Sequence, residues 1–432
     1  MTQRIPCKSE GCAATILPRT AAKTGGYCMP CHQEQERRKR QAYIKKHRKT
    51  VDLYEGLNDP VEILKIMHAP RRYDPLIEYI PYPLSKEQIY VSLSPGEAAS
   101  LKDYAMHLLA SGDEETSQEI LSSLVCYRND SIAGCLPILM ENGVYYPGIL
   151  YKDAAPDIRD RLLEQAEWDD DNRNHILVAL AWIGDEQVIH RFHEWRMNPP
   201  QWAGQLYVAP ELYAQEAGWK LLDSGGRQDL VHEHSYAVES MEGHRVPGAH
   251  EAAVKLLRQG TSDCPWCSGK LTTLIEVDTA HSVLAKLNLS LDRLQVDTCV
   301  ICGCYDVIYM ELDADGVPSW SGYNRKPDHM PVVDMEEYSD EYLRVGLELT
   351  ISNNPRSAFY AAIWELSQHG SQLGGHPSWV QDAEYPACPC CGQSMFFIGQ
   401  LDWSDIEKYG EGIYYMFVCP RDRLTATTYQ QS

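Results

Sequence analysis

Cys264-Pro265-Trp266-Cys267-Ser268-Gly269-Lys270-Leu271-Thr272-Thr273-Leu274-Ile275-Glu276-Val277-Asp278 recurs, altered, as Cys388-Pro389-Cys390-Cys391-Gly392-Gln393-Ser394-Met395-Phe396-Phe397-Ile398-Gly399-Gln400-Leu401-Asp402. Both cysteines of the pair, the proline and the closing aspartate coincide. Leu271/Met395, Leu274/Ile398 and Val277/Leu401 match in kind. The reading is one structural unit used twice, each copy a cysteine knuckle followed by strands. Each copy then needs a second knuckle. In the first it is Cys299-x2-Cys302, which completes a four-cysteine metal site and leaves Cys304 spare. In the second the matching position is Cys419-Pro420-Arg421-Asp422, where aspartate stands in for the last cysteine. Two readings stay open there: a site made by Cys388, Cys391, Cys419 and Asp422, or a degenerate ribbon held by packing alone.

The same chemistry opens the chain. Cys7-x4-Cys12 and Cys28-x2-Cys31 are separated by 15 residues, the ligand set of a structural zinc site in which Zn–S bonds substitute for a core too small to fold alone. With 15 cysteines in 432 residues, mostly in short paired spacings, and no secretory signal in Met1–Cys7, metal is expected rather than disulfides. Two structural zinc ions are expected, with a third possible. No apolar run approaches the ~18 residues of a membrane helix. A soluble, cytoplasmic protein without a membrane partner is therefore expected.

After Cys31 the text Gln33–Lys49 has no Gly or Pro and almost no apolar face, and predicts an exposed basic helix. Residues 1–50 hold 12 Lys+Arg and 3 Asp+Glu, against 27 and 58 in the rest of the chain. Only the head can attract nucleic acid; the acidic body suits a basic partner or simple solubility.

From about Val51 to about Gln259 the spacing of apolar residues is helical. Leu101, Tyr104 and Leu108, then Gly112-Asp113-Glu114, then Ile120, Leu121 and Leu124 share a layout with Ile176, Leu180 and Ile183, Gly184-Asp185-Glu186, and Val188, Phe192 and Trp195. Glycine can close one helix and aspartate cap the next, and the spacing fits two HEAT-like periods. Beyond Cys264 short strands follow, with Asp315-Gly316 as a hairpin turn rather than part of a calcium loop. The fold class is thus α+β multidomain: residues 1–50 a zinc ribbon with a basic helix, 51–260 a HEAT-like helical domain, 261–432 a β-rich domain with duplicated knuckles.

Residues 373–381, Leu-Gly-Gly-His-Pro-Ser-Trp-Val-Gln, followed by Cys388-Pro389-x-Cys391-Gly392, Gln400-Leu401-Asp402 and Gly412–Cys419, resemble the YwqG-like family, a bacterial domain of unknown function. Chains with such a domain, an N-terminal ribbon and a helical middle look like immunity proteins encoded beside Rhs-type or contact-dependent toxins. The resemblance implies a protein that occludes a cognate toxin domain, of nuclease or ADP-ribosyltransferase type, and no catalytic residues. A zinc-ribbon nucleic-acid-binding regulator working through the basic helix is the alternative.

No Gly-x-Ser-x-Gly, Gly-x4-Gly-Lys-Ser/Thr, Gly-x-Gly-x-x-Gly or His-Glu-x-x-His occurs. The group closest to a reactive cluster is His232, Glu233, His234, His244, His250 and Glu251, read as an exposed connector. His190 and His193 are read as surface residues on a helix whose apolar face is Val188, Phe192 and Trp195.

Overall fold

The computed structural model describes residues 4–240, 254–332, 349–366, 370–406 and 410–432. The chain divides into two compact units, Met1–Ser85 and Lys86–Ser432. The first thus extends past residue 50. The reason is a parallel pairing of the strands Lys49–Val51 and Ile77–Tyr79, which ties the end of the basic helix to the following 30-odd residues. No helix among the described residues is long and apolar enough to cross a membrane.

In the first unit a two-stranded hairpin, Ile5–Pro6 with Thr15–Ile16, leads to helices Pro18–Thr24 and Met29–His47. Helix Pro60–His68 buries Val61, Ile63 and Leu64, whereas the buried apolar cluster beside the hairpin is Cys7, Ile16 and Cys28, with Cys12, Ala21, Tyr27 and Cys31 packed against it. So small a core demands a staple. Helix Met29–His47 buries no residue, as its composition predicts. Glu34 pairs with Arg37 and Arg38, and Glu36 with Lys39, so part of the basic charge is answered within the helix.

The second unit opens with helices. Pro95–Ala110 is started by a capping box of Ser94 and Glu97; Asp113 caps Glu114–Arg128 by accepting from Thr116 N–H, and Asp185 caps Glu186–Met197 through Gln187 and Val188. Gly184, at φ 50, ends Arg173–Ile183 in the left-handed cap that the Gly-Asp-Glu reading requires. Ile120, Leu121, Leu124, Val188, Phe192 and Trp195 are buried as expected, while the first helix buries Leu101, Ala105 and Leu109 rather than Tyr104 and Leu108. The two layouts pack differently. Pro95–Ala110 lies along Glu114–Arg128, whereas Glu186–Met197 turns its aromatic face to Trp202 and Trp219.

Helical text gives way to sheet before residue 260. His234–Ser240 is a strand, paired with Leu349–Ile351, Arg356–Ser357 and Gln372–Gly374. A nine-stranded sheet continues from Gln372–Gly374 through Phe396–Asp402, Ile413–Cys419 and Leu424–Gln430 to Ile308–Leu312 and Pro318–Trp320. Three further strands, Val254–Asp263, Lys270–Asp278 and Arg293–Thr298, form their own sheet. Asp313 accepts from the N–H groups of Asp315 and Val317, so the expected hairpin turn is present.

The two aligned stretches fold alike. Cys264 N–H donates to Gly269 O and Ser268 N–H to Cys264 O; Cys388 N–H donates to Gln393 O and Gly392 N–H to Cys388 O. Ser268 and Gly392 hold the same left-handed backbone, at φ 66 and 71. Asp263 pairs with Lys270 where Ala387 pairs with Ser394. In both copies the next strand pair skips one residue, Leu274 in the first and Ile398 in the second, which are aligned positions. A bulge is a built feature, and its repetition at matched positions speaks for one ancestral unit.

Ser371–Trp379 is wholly buried beside the large sheet. Glutamine side chains stand in for missing strand partners: Gln400 accepts from Ser378 N–H and donates to Gly370 O, and Gln430 accepts from Val380 and Gln381 N–H and donates to Asp382 O. Gly374 and Gly375 have positive φ, and a Cβ there would meet His234 O at 2.7 Å and Ser235 Cβ at 2.6 Å. Only glycine lets this segment approach the strand.

Candidate metal centres

Three quartets come together: Cys7, Cys12, Cys28 and Cys31; Cys264, Cys267, Cys299 and Cys302; Cys388, Cys391, Cys419 and Asp422. Within each, the ligand atoms all lie within 4.8 Å of one another. Cys12 and Cys28 Sγ are 3.8 Å apart, Cys264 and Cys302 3.7 Å, Cys267 and Cys299 3.6 Å, and Cys391 and Cys419 3.8 Å. These separations are far too long for disulfides, which need about 2.05 Å. They match the edge of a tetrahedron whose Zn–S bonds are about 2.3 Å, an edge of roughly 3.8 Å. Each quartet can therefore hold a metal ion.

The first centre is built at a helix start. Cys28 is the residue before Met29–His47 and Cys31 lies in its first turn, so the helix N-terminus faces the sulfurs. Cys28 N–H donates to Cys7 Sγ at 3.2 Å and Ser9 N–H at 3.5 Å, and these two bonds pull the Cys7 thiol down to about 7.

The second centre is roofed by Trp266 against Trp320, ring centroids 5.2 Å apart, and floored by Leu271, Ile308 and Met310. Trp266 N–H and Gly269 N–H donate to Cys264 and Cys267 Sγ, each at 3.4 Å. Contacts with Cys264, Cys299 and Cys302 hold the Cys267 thiol far below its ordinary range, while the Cys299 and Cys302 thiols are pushed up. Four sulfurs this close cannot all ionise without a cation among them, which a divalent metal would supply.

In the third centre Asp422 takes the place of a thiolate. Its Oδ2 is 3.2 Å from Cys388 Sγ and 3.4 Å from Cys419 Sγ. Contacts with Cys391 and Cys388 lower the Asp422 carboxyl, so the ligand oxygen is ionised where it is needed. Burial pushes Cys419 up to about 11. Cys388 and Cys419 are buried against the Tyr385, Phe397 and Phe417 cluster.

Cys126, Cys135, Cys304 and Cys390 lie outside the quartets. Of the group read as an exposed connector, Glu233 and His234 are exposed, His234 at the start of a strand, while His232 is drawn inward. His232 sends Nε2 to Phe397 O at 2.7 Å, and burial lowers it to about 4; exposed Glu233 pairs with Lys286. His244, His250 and Glu251 lie outside the described residues. His190 is exposed and pairs with Glu194, and His193 lies beside Arg196. The N–H donors to sulfur were beyond sequence reading, since they belong to the backbone; knuckle spacing is their only signal. Also missed was a cleft lined by Tyr146, Trp182 and Glu216, announced in sequence only by Trp379-Val380-Gln381 in the quoted motif.

Among known proteins, one from Salmonella typhimurium described as "Uncharacterized protein YpfL" is 40% identical over 438 residues, with the whole of both chains covered. No family model matches the chain, and no solved structure matches it.

Proposed function

This chain belongs to the family of the uncharacterized protein YpfL, and we propose that it is a zinc-stapled binding protein that neutralises a basic antibacterial toxin by covering its working surface. The observation that carries this reading is the closure of the quartets. Each joins four protein ligands, so a tetrahedral ion held by them keeps no open position for water or substrate. Such metal holds a scaffold together and leaves function to the surface. Zinc is the ion proposed, because thiolate-rich tetrahedra suit it. The cysteine-bearing elements are read as zinc ribbons, and the helical part of the second unit as HEAT-like.

The partner, a Rhs-type or contact-dependent toxin domain met in the cytoplasm, is the one implied by the likeness of residues 373–419 to the YwqG-like family. Charge supports a basic partner: residues 86–432 carry 24 Lys+Arg against 52 Asp+Glu. The test is co-expression with the toxin encoded by the adjacent gene, then titration of toxin activity with purified protein. An endpoint near one to one is expected. Protection far below that ratio means turnover and ends the occlusion reading.

The nucleic-acid reading keeps one observation in its favour, the basic helix Met29–His47, which buries no residue. Its test is DNA and RNA binding by the full chain and by a variant with Arg40, Lys45 and Lys46 changed to Glu. Salt-dependent binding lost in the variant would favour this reading.

A further inference from the structure

Within the second unit a cleft of about 660 Å³ lies between helix Arg173–Ile183, the 3-10 segment Pro210–Ala217 and the loop that leaves the buried segment at Trp379. That is the size of a small-molecule or side-chain pocket. Its chemistry is one-sided. Among the described residues three carboxylates line it, Glu216, Glu365 and Asp382, with no Lys or Arg and a single histidine, His175. Six aromatic rings share the wall, among them Tyr146, Trp182, Trp364 and Trp379. Aromatic faces beside carboxylates select cations, and a planar guanidinium both stacks and pairs.

The wall is set before any ligand arrives. Tyr146 Oη donates to Glu365 Oε1 at 2.8 Å, and Glu216 Oε1 accepts from Ala383 N–H at 2.7 Å. Gln430 fixes the backbone of Val380 to Asp382 from behind, and Trp379 packs on Tyr415 with ring centroids 4.7 Å apart. One polar group is unanswered: Trp379 Nε1–H is buried, at 7% residue exposure, and meets no acceptor among the described residues. A buried donor without a partner is costly, because it has given up its water for nothing. A ligand carrying a carbonyl beside its cation would satisfy it. Tyr146 and Trp364, both exposed at the cleft, and Tyr207, fully exposed, leave aromatic surface for the rest of such a ligand.

We propose that this cleft receives an arginine side chain of a polypeptide, the guanidinium held by the aromatic rings and the carboxylates of Glu365 and Asp382, with a peptide carbonyl facing Trp379. The source of that arginine, a basic toxin domain, rests on the reading of the preceding subsection; the recognition chemistry does not.

The test uses the full, metal-loaded chain and follows tryptophan fluorescence and binding heat with Nα-acetyl-arginine methylamide, its neutral citrulline counterpart, and ethylguanidinium. The arginine derivative should bind roughly tenfold or more tightly than the citrulline one. It should also bind more tightly than ethylguanidinium, which lacks the carbonyl. Glu365→Gln with Asp382→Asn should abolish the preference for arginine over citrulline, and Trp364→Ala, at an exposed position, should weaken binding without disturbing the core. Equal binding of citrulline overturns the cation assignment, and equal binding of ethylguanidinium overturns the polypeptide source. Toxin neutralisation that survives in the double variant, with no arginine binding in the parent, ends this inference and spares the toxin reading. Arginine binding without any neutralisation does the reverse.

Discussion

Asp422 is the residue on which the third centre turns. A carboxylate oxygen completes a tetrahedron of three thiolates, at a distance from sulfur close to the roughly 3.5 Å that Zn–S and Zn–O bonds dictate. The wild-type chain, purified without chelator, should contain about three zinc ions by elemental analysis. Asp422→Ala should lower the content by one, and Asp422→Cys should keep it; a content of two in all three proteins means that packing alone holds this knuckle. Glu216 allows a second test. Burial raises its carboxyl from 4.5 to about 7, against the pull of Ala383 N–H, with Asp382 pushing the same way. The folded protein then keeps a proton that the unfolded chain releases. The penalty is absent below about 4.5, grows as pH rises, and is complete above about 7. Glu216→Gln, which preserves the acceptor, should gain up to about 3 kcal/mol over wild type at pH 8 and almost nothing at pH 4.5, as read by denaturant unfolding. An equal difference at both pH values refutes the burial argument. That eleven cysteines and Asp422 would gather into three quartets was legible because metal chemistry restricts residue type and spacing. Glu216 was not, since the elements that bury it come from segments far apart in sequence.

At the scale of elements, the knuckles do different work in the two units. The first sits on a cluster of Cys7, Ile16 and Cys28 that does not include the buried face of helix Pro60–His68, so replacing Cys28 and Cys31 by Ser should unfold residues 5–31. Hydrogen exchange would show fast amides there and unchanged protection from residue 86 onward; a collapse of both would mean that the units fold as one. The second knuckle is continuous with a buried cluster that includes Ile308 and Met310 of the large sheet. Cys264→Ser with Cys299→Ser should therefore lower the main thermal transition, not just a local one. Several of these elements were readable. The Gly-Asp-Glu turns announced their caps through local chemistry, and the duplicated knuckle announced itself through alignment. Strand His234–Ser240 was not, because its polar, histidine-bearing text reads as connector and its partners are more than 100 residues away.

For the whole molecule, charge is divided along the chain, with a basic first unit and a strongly acidic second. Association of a basic partner with the second unit should be fast at low salt and slow as salt rises, while dissociation should change little. Stopped-flow measurement at two ionic strengths separates the two rates; an on-rate indifferent to salt would detach the acidic surface from function. Broad class was legible here from composition, since cysteine pairs and charge are additive properties. The extent of the first unit was not, because three residue pairs of parallel strand decide it.

One pairing reaches beyond packing. Ile308–Leu312, from the first copy of the duplicated unit, lies in the sheet beside Leu424–Gln430, the last strand of the second. During synthesis, at roughly 5–20 residues per second, on the order of ten seconds pass before that neighbour leaves the ribosome. Throughout this interval the earlier strand has an open edge able to pair with any other extended chain. The nascent protein is therefore at its most vulnerable late in translation. Its yield in the cell should depend on chaperones that shield sheet edges, and a chain stopped short of residue 424 should aggregate rather than survive as a smaller working protein.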